Sequence, residues 1–401
     1  MTELSEGLAA RGHDVTVLTS DLYDRGRLAP SPPAGRASRD TFRGVKVVCF
    51  PHGRDVFRRT LERVRRIKGG YRFLNLLFGK DGADLIQRGP AVLELIPWVL
   101  RSDADIVLSI HWSPPHAYYA HIAGKLKPFI HVGIPFFHTA TSWCQLEVYV
   151  RMLRRCNAVI VNTDHEGDFV RERSGTRTLT AGVGVHPEQF DGRNGKDIRA
   201  KYGLREELVV GYLSRGDRFK GITKVIDAMR IVWRRKIDAY LVIAGVRDLA
   251  AEGADQLMAQ LGECERQRIV YIGEFDERDK SSIFDAFDVF VLPSLEESFG
   301  IVYLEAWMCR KPVIGSRIGP TECVIADGVD GLLVDPEDAE DIAAKIQDLL
   351  ADKAKRDRMG WNGYQKTMLR FTWDKVIDQV ERLFLELVEA RRGRGESRAT
   401  A

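Results

Sequence analysis

Short, continuous runs of apolar residues recur along this 401-residue chain, and stretches with the spacing of amphipathic helices separate them. Strands that are apolar on both faces must be covered on both faces, which is typical of parallel strands in an α/β fold. The runs form two sets, so the sequence predicts two doubly wound α/β units. The predicted strands are 15–19, 45–50, 106–110, 129–132 and 159–162 in the first unit, and 208–213, 240–244, 269–272, 289–292, 313–315 and 332–334 in the second.

A polar, glycine-containing stretch separates the two sets and predicts a boundary between domains. Beyond the last strand pattern, an amphipathic stretch predicts one long helix, and the polar end of the chain after it is expected to be disordered. The predicted organisation is an N-terminal domain at 1–190, a linker at 191–206, a C-terminal domain at 207–370, a C-terminal helix at 371–392 and a disordered tail at 393–401.

The chain begins inside a helix pattern. Residues 2–12 place Leu4, Leu8 and Ala9 on one face, and the first strand pattern follows directly. In a βαβ unit a strand precedes such a helix, so we expect the first sheet to lack one strand and its loop, roughly fifteen to twenty residues. This loss should leave a gap or an exposed strand edge. A start codon assigned downstream of the true one is our preferred explanation.

Composition excludes several classes of protein. Hydrophobic residues are 44% of the chain and charged residues 29%, which excludes a disordered chain. The formal net charge of +3 is too small to indicate a nucleic-acid partner. The six cysteines show no CxxC spacing, which predicts reduced thiols in a cytoplasmic protein. No apolar run is long enough to span a membrane.

The stretch with most potential for chemistry is VFVLPSLEESFGIVYLEAW, residues 289–307. A buried strand, a short loop and a helix that begins near Phe299 are predicted there. Glu297 and Glu305 are eight residues apart, about 12 Å along a helix, a span from a sugar hydroxyl to a ribose. The amides of 299–301 would form a helix N-terminus, which favours phosphate. The alternative is two ordinary helix carboxylates.

Two cations stand where ligands bind in open α/β sheets. Arg215 and Lys220 fall in the loop after the first strand of the second domain, within GYLSRGDRFKGITKVIDAM. Together they could neutralise a diphosphate without a metal. Ordinary surface charges are the alternative. The stretch lacks GxxxxGK[ST], which excludes a P-loop.

Five histidines follow one another in the first domain. His111 and His138 each follow a strand pattern, so both are predicted to face a cleft. His116, His121 and His131 are interpreted as satisfied structural residues. Neither HExxH nor a metal-spaced cysteine pair accompanies them, so no metal and no zinc site are expected.

A basic amphipathic helix is predicted at 54–72. This stretch contains eight arginines and lysines but only two acidic residues, and apolar side chains are interleaved with them. Such a helix could lie on an anionic membrane surface. A solvated, arginine-rich surface helix is the other interpretation, and the sequence leaves both open.

In order and spacing, these segments closely resemble the retaining GT-B glycosyltransferases of the "glycosyl transferases group 1" family, family 4 type. The resemblance covers nearly the whole chain and implies a GT-B fold, in which two Rossmann-like domains face a central cleft and the last helix crosses back to the first domain. The matching segments are RGHDVTVLTSD at 11–21, HTAT at 138–141, R-x4-K at Arg215 and Lys220, FDAFDVFVLPS at 284–294, E-x7-E at Glu297 and Glu305, and DGLLVDPED at 330–338.

The resemblance also implies roles for individual residues. Glu297 would hold hydroxyls of the donor sugar, and Glu305 the ribose of the nucleotide. Arg215 and Lys220 would hold the diphosphate, and His138 would contact the donor sugar from across the cleft. The implied catalytic residues are His138, Glu297, Arg215 and Lys220, and the implied donor-binding residues are Arg215, Lys220, Glu297, Ser298, Phe299, Gly300, Ile301 and Glu305.

The implied activity is transfer, with retention, of a sugar from a GDP- or UDP-sugar to a hydroxyl of a lipid or glycan. The family resemblance implies a hexosyltransferase of glycan biosynthesis, mannosyl transfer included, that needs no metal and no cofactor. A nucleotide-sugar 2-epimerase-like enzyme and a truncated, inactive nucleotide-binding protein remain alternatives.

The chain departs from the family pattern in three places. IGPTE at 318–322 stands where the family often has GGxxE, and GVGV at 182–185 stands where it has NGVD. The first strand and its glycine-rich loop are absent.

Overall fold

The computed structural model describes residues 2–20, 38–50, 63–64, 66–70, 72, 76, 92–112, 116–139, 141–216, 219–250 and 253–399. The chain divides into two compact units. Unit 1 comprises Met1–Ala181 and Ile377–Ala401, and unit 2 comprises Gly182–Val376. All eleven predicted strands are present, and their ends move by no more than two residues.

The described residues of unit 1 form two sheets. In the first, β1 (Thr16–Ser20) pairs parallel with β3 (Val45–Phe50), and β3 pairs antiparallel with β2 (Ser38–Phe42). In the second sheet, four parallel strands lie in the order β4-β5-β6-β7, and no ladder joins β1 to β4 among the described residues. The four strands are β4 Ile106–Ile110, β5 Ile130–Ile134, β6 Ala158–Val161 and β7 Thr178–Thr180.

The core of unit 1 is rich in aromatic side chains. Trp112, Phe137 and Tyr149 are almost completely buried, and their rings contact one another. The helices of unit 1 are α1 Thr2–Ala10, α2 Leu95–Arg101, α3 His116–Leu126, α4 Glu147–Leu153, α5 Asp164–Ser174 and the greater part of the last helix, α15 Trp373–Ala399.

Unit 2 is built on one sheet of six parallel strands in the order β10-β9-β8-β11-β12-β13. Five of the six strands are almost completely buried, as continuous apolar runs predict for a sheet covered on both faces, whereas the edge strand β10 is only partly buried. The strands are β8 Leu208–Leu213, β9 Ala239–Ala244, β10 Ile269–Gly273, β11 Val289–Leu292, β12 Val313–Ser316 and β13 Gly331–Val334. The helices are α6 Gly195–Lys201, α7 Ile222–Arg234, α8 Ala254–Ala259, α9 Glu263–Arg266, α10 Lys280–Asp285, α11 Ile301–Met308, α12 Gly319–Val324, α13 Ala339–Ala351 and α14 Lys353–Arg370.

The segment predicted as a linker is part of unit 2. Phe190 and Leu204 belong to its hydrophobic core, and α6 lies between them. The guanidinium of Arg199 contacts Asp288 at 2.7 Å and donates to the carbonyl of Ala286. These contacts move the boundary between the units to 181–182. Long-range side-chain contacts of this kind leave no trace in local composition.

The last helix is longer than the sequence predicts. α15 continues through Ala399, where a disordered tail was expected from residue 393. Arginine, glutamate and alanine dominate this stretch and favour a helix despite two glycines. From Ile377 onward the helix belongs to unit 1, and Arg11 forms ion pairs with Asp378 and Glu381 there. In the described part of the chain, no helix is both long and apolar enough to cross a membrane.

Candidate active site

The strand order of unit 2 creates a crevice between β8 and β11. From β8 the chain continues to β9 on one side, and from β11 it continues to β12 on the other. Loops that diverge in this way leave a crevice at the carboxyl ends of the strands, where open α/β sheets bind ligands. Arg215 and Lys220 follow β8, and Glu297 follows β11. A hydrogen bond of 2.7 Å from the amide of Leu295 to the carbonyl of Phe219 joins the two loops.

Two glycines allow close approaches within this crevice. Gly221 has a φ of 74°, and a Cβ at this position would lie 2.3 Å from the carbonyl oxygen of Pro293. Gly300 has a φ of 87°, and a Cβ there would lie 2.4 Å from the ring of Tyr303. Any other residue would force the backbone or the buried ring to move. The loop after β8 therefore depends on the loop after β11 for its position.

An ion pair connects the two loops at Lys220 and Glu297. The Nζ atom of Lys220 lies 2.8 Å from Oε2 of Glu297 and 3.3 Å from the backbone oxygen of Glu296. The other carboxylate oxygen of Glu297 accepts the amide of Ser298 at 3.2 Å. The side chain of Glu297 is only 11% exposed. The crevice therefore presents a carboxylate, which can accept hydrogen bonds from hydroxyls, next to an ammonium, which can bind an anion.

Helix α11 begins later than the sequence predicts. Its first helical residue is Ile301, and Gly300 precedes it in the left-handed conformation. The amide of Phe299 therefore lies before the helix. The side chain of Phe299 is buried against the ring of Phe371, with ring centroids 5.5 Å apart. Glu297 lies in the loop as predicted, and Glu305 lies on the helix.

Glu305 is a buried carboxylate with one free oxygen. Its Oε1 accepts a hydrogen bond from Lys280 at 3.0 Å, whereas Oε2 is buried and has no hydrogen-bond partner in the described structure. Burial raises the pKa of Glu305, and the charges of Lys280 and Arg215 oppose this increase. An unsatisfied buried acceptor costs about 1–3 kcal/mol, so Oε2 is placed to accept a hydrogen bond from a ligand.

Two histidines lie at the carboxyl ends of neighbouring strands in unit 1. His111 follows β4 and His138 follows β5. Burial and the nearby imidazole of His138 lower the pKa of His111. His111 and Phe136 both adopt a left-handed backbone, with φ of 53° and 54°. Such strain costs about 1–3 kcal/mol and persists where the surrounding structure enforces it, often at functional sites.

A second buried carboxylate, Glu166, supports the segment that carries His138. One oxygen of Glu166 accepts the amide of Phe137 at 2.8 Å, and the other accepts the amide of Asn162 at 2.9 Å. Burial raises the pKa of Glu166 to about 7, although both hydrogen bonds favour the charged form. This carboxylate fixes the backbone at the ends of two strands, β5 and β6.

Two family models match the sequence of this chain, one in each half. Residues 1–180 match the family model described as Glycosyltransferase Family 4, and residues 194–366 match the one described as Glycosyl transferases group 1. The chain belongs to the group 1 glycosyltransferases. It is 26% identical over 306 residues to the D-inositol 3-phosphate glycosyltransferase of Stackebrandtia nassauensis, a match that covers 73% of this chain and 67% of that protein.

Solved structures confirm the predicted GT-B fold of this glycosyltransferase. Sucrose-phosphate synthase from Thermosynechococcus elongatus superposes with a TM-score of 0.71 at 21% identity, over 97% of this chain and 92% of that one. HepE from Anabaena, solved in complex with UDP-glucose, superposes with a TM-score of 0.66 at 18% identity, over 86% of each chain.

Sequence reasoning located most of the glycosyltransferase's candidate site in unit 2 but missed its supporting residues. The structure brings Lys220 into contact with Glu297, and Arg215 close enough to Glu305 to affect its pKa. The expected contact of His138 with a donor sugar stays a prediction. Lys280 was missed because it contacts Glu305 across 25 residues of sequence. A Thr163-x-x-Glu166 capping pattern, with a 3.2 Å bond from the Glu166 amide to Thr163 Oγ1, was the available indication of Glu166.

The three histidines that were interpreted as structural differ from one another. His131 is buried, and its Nε2 lies 2.8 Å from the hydroxyl of Ser109. The Nε2 atom of His116 and the Nδ1 atom of His121 are also enclosed, but neither has a hydrogen-bond partner in the described structure. Burial lowers the pKa of all three, so the rings are neutral at pH 7. The interpretation of satisfied histidines is therefore correct for His131 and wrong for the other two.

Two other expectations concern metal and membrane. Within the described ranges, no group of three or more His, Cys, Asp or Glu side chains could hold a metal ion. Most of the predicted basic helix at 54–72 lies outside the described residues, because 54–62, 65 and 71 are not among them.

Proposed function

We propose that this glycosyltransferase transfers a hexose, with retention of configuration, from a GDP- or UDP-sugar to a hydroxyl of a lipid or glycan. The observation that carries the proposal is the crevice between β8 and β11. In its loops Lys220 forms an ion pair with Glu297, and Arg215 is close enough to Glu305, which has a free oxygen, to affect its pKa. The UDP-glucose bound in HepE supports the class of donor.

Each group has a chemical task in this proposal. The free Oε2 of Glu305 accepts hydrogen bonds from the ribose, and Glu297 accepts them from hydroxyls of the donor sugar. The leaving nucleoside diphosphate gains negative charge as the glycosidic bond breaks. Arg215 and Lys220 stabilise this charge, so these two cations do the work that a metal ion does in other enzymes. Lys220 then exchanges its contact with Glu297 for one with phosphate.

The proposal of retention rests on the resemblance to the group 1 glycosyltransferases. In a front-face transfer, the leaving phosphate helps to deprotonate the acceptor hydroxyl, so the enzyme needs no second carboxylate of the glycosidase type. His138 would contact the donor sugar from unit 1. The name of the Stackebrandtia relative includes an inositol phosphate, which offers hydroxyl groups of the kind that the proposal requires.

The proposed location is cytoplasmic, with attachment to an anionic membrane through the basic segment 54–72. The six cysteines show no CxxC spacing, which supports a reducing compartment. A sedimentation assay with phosphatidylglycerol and phosphatidylcholine vesicles tests the attachment. Equal binding to both kinds of vesicle would remove the membrane from the proposal.

The catalytic proposal is tested with the Glu297→Ala variant. We expect loss of transfer by at least about 100-fold, because the variant removes the hydrogen bonds to the sugar and frees Lys220 from its partner. The assay measures transfer of labelled sugar from a panel of GDP- and UDP-sugars to lipid extracts and oligosaccharides. Glu296→Ala is the matched control, since only the backbone of Glu296 contacts Lys220. Full activity of Glu297→Ala would contradict the role of this carboxylate.

Product analysis separates the two alternatives. An epimerase would convert the labelled nucleotide sugar into an isomer without consuming an acceptor. A truncated, inactive protein would bind UDP or GDP tightly and release neither a transferred sugar nor an isomer.

A further inference from the structure

Lys280 contacts two carboxylates, one of which is Glu305 of the candidate nucleotide site. It is the first residue of α10, and its side chain is 23% exposed. Its Nζ atom lies 3.0 Å from Oε1 of Glu305 and 2.8 Å from Oε2 of Glu277. Lys280 therefore occupies one oxygen of Glu305 from the side of α10, while the other oxygen has no partner in the described structure.

We propose that Lys280 is a positioning residue for nucleotide binding. By holding Oε1 of Glu305, it keeps the carboxylate charged and leaves Oε2 as a free acceptor for the hydroxyls of a ribose. This inference rests on the proposed function, because it takes a nucleoside diphosphate as the ligand.

Glu305 lies where burial disfavours a charged carboxylate. The side chain of Glu305 is only 10% exposed, and a carboxylate in such a place binds a proton unless a cation compensates. The charged groups that face it are Lys280 and Arg215, which favour the charged form, and Glu277, which opposes it. Arg215 is exposed and is assigned to the diphosphate. Lys280 is thus the cation that holds Glu305 by direct contact.

The structure also explains why orientation matters. A charged carboxylate can only accept hydrogen bonds, whereas a protonated one must donate through one oxygen. Without Lys280, the effect of burial on Glu305 loses its main opposing charge, so the protonated form is favoured and can turn the wrong oxygen towards the crevice. Binding of the ribose would then lose a charge-assisted hydrogen bond.

The experiment measures nucleotide binding, which does not depend on transfer. The full chain and its Lys280→Met variant are titrated by calorimetry with UDP, GDP and ADP, and then with the 2′-deoxy and 3′-deoxy forms of the tightest ligand. The wild type should prefer the ribonucleotide by about 10- to 100-fold. In Lys280→Met, affinity for the ribonucleotide should fall to that of the deoxy forms, and the preference should disappear.

Two variants separate positioning from general damage. Lys311→Met is the matched control, because Lys311 is 20% exposed and also contacts a carboxylate, that of Asp285 at 3.7 Å. It should keep the full preference for ribose. Lys280→Arg retains the cation and should recover part of the preference. Raising the pH should restore ribose preference in Lys280→Met, because the proton on Glu305 is then released.

The outcomes distinguish this inference from the proposed function. A Lys280→Met protein that melts cooperatively and keeps full preference for ribose would overturn the inference alone. If Lys280→Met does not fold, loss of ribose preference in Lys280→Arg would equally overturn it, since the cation is still present. A wild-type protein that binds none of the three nucleotides would overturn both proposals.

Discussion

Each unit of this glycosyltransferase contains a buried carboxylate on a helix that follows an interior strand of its sheet, and the two carboxylates are satisfied in opposite ways. Glu166 in unit 1 is 2% exposed, and backbone amides occupy both of its oxygens. Glu305 in unit 2 is also buried; a lysine occupies one of its oxygens, and the other has no hydrogen-bond partner in the described structure. Burial raises the pKa of both groups.

The difference indicates what each carboxylate does. Backbone amides cannot move away without disrupting the fold. A carboxylate whose two oxygens both accept backbone amides therefore acts as a structural link between two chain segments. A lysine compensates charge and still leaves an acceptor for a ligand. Burial and a raised pKa alone would mark both residues as functional candidates. The partners of each oxygen separate the structural carboxylate from the binding one.

The largest expected effect on stability comes from replacing Glu166, the carboxylate that links two chain segments in unit 1. Glu166→Ala leaves two buried amides, of Phe137 and Asn162, without an acceptor. At about 1–3 kcal/mol for each donor, the free energy of unfolding should fall by about 4 kcal/mol. Urea unfolding measures the loss, and hydrogen exchange at these two amides should accelerate.

The control for this prediction is Glu172→Ala on the same helix, α5. Glu172 is exposed, so its removal should change the free energy of unfolding by less than about 0.5 kcal/mol. If Glu166→Ala were as stable as this control, the amides would have other acceptors and the comparison would fail.

A smaller effect is expected from the titration of Glu166. Its pKa in the folded protein, about 7, lies above the ordinary value of 4.5, so the folded state binds the proton more tightly than the unfolded state. The resulting stabilisation is fully present below pH 4.5 and is lost as the pH rises through about 7. The shift corresponds to about 3 kcal/mol.

Unfolding at a series of pH values measures this dependence. Glu166→Gln cannot titrate, so the rise in stability towards acid pH should be absent from the variant and should appear as the difference in unfolding free energy between the wild type and the variant. A slope that is identical in both proteins would assign the titration to another group.

The sequence predicts the strands of the molecule better than it predicts the contacts of the candidate site. Apolar runs predicted eleven strands, because a strand that is buried on both faces consists of consecutive apolar residues. β2 and β7 were missed, since β2 is a polar edge strand and β7 has only three residues. In the site, Lys220 and Glu297 were found because each follows a predicted strand.

The supporting contacts could not be predicted from spacing. Glu166 acts through backbone amides up to 29 residues away, and any residue type can supply an amide. Lys280 reaches Glu305 only because α10 and α11 are neighbours in the fold. The boundary between the units was misplaced for the same reason, because Phe190 and Leu204 contact a core formed by distant strands.

The smallest effect on stability is expected for Glu305→Gln, although its effect on binding should be large. Gln retains the shape of the side chain and removes a charge that burial disfavours, so the free energy of unfolding should change by less than about 1 kcal/mol. Affinity for the nucleoside diphosphate should nevertheless fall by about 10- to 100-fold, because a charge-assisted hydrogen bond to the ribose is lost.

Calorimetry and urea unfolding of the same preparation test both parts of this prediction. Glu277→Gln is the matched control, because Glu277 shares Lys280 with Glu305 but its side chain is 74% exposed. It should leave both stability and affinity nearly unchanged. If Glu305→Gln lost several kcal/mol of stability and kept its affinity, Glu305 would be a structural link like Glu166. The free oxygen would then have no ligand to explain it, and the difference between the two units would disappear.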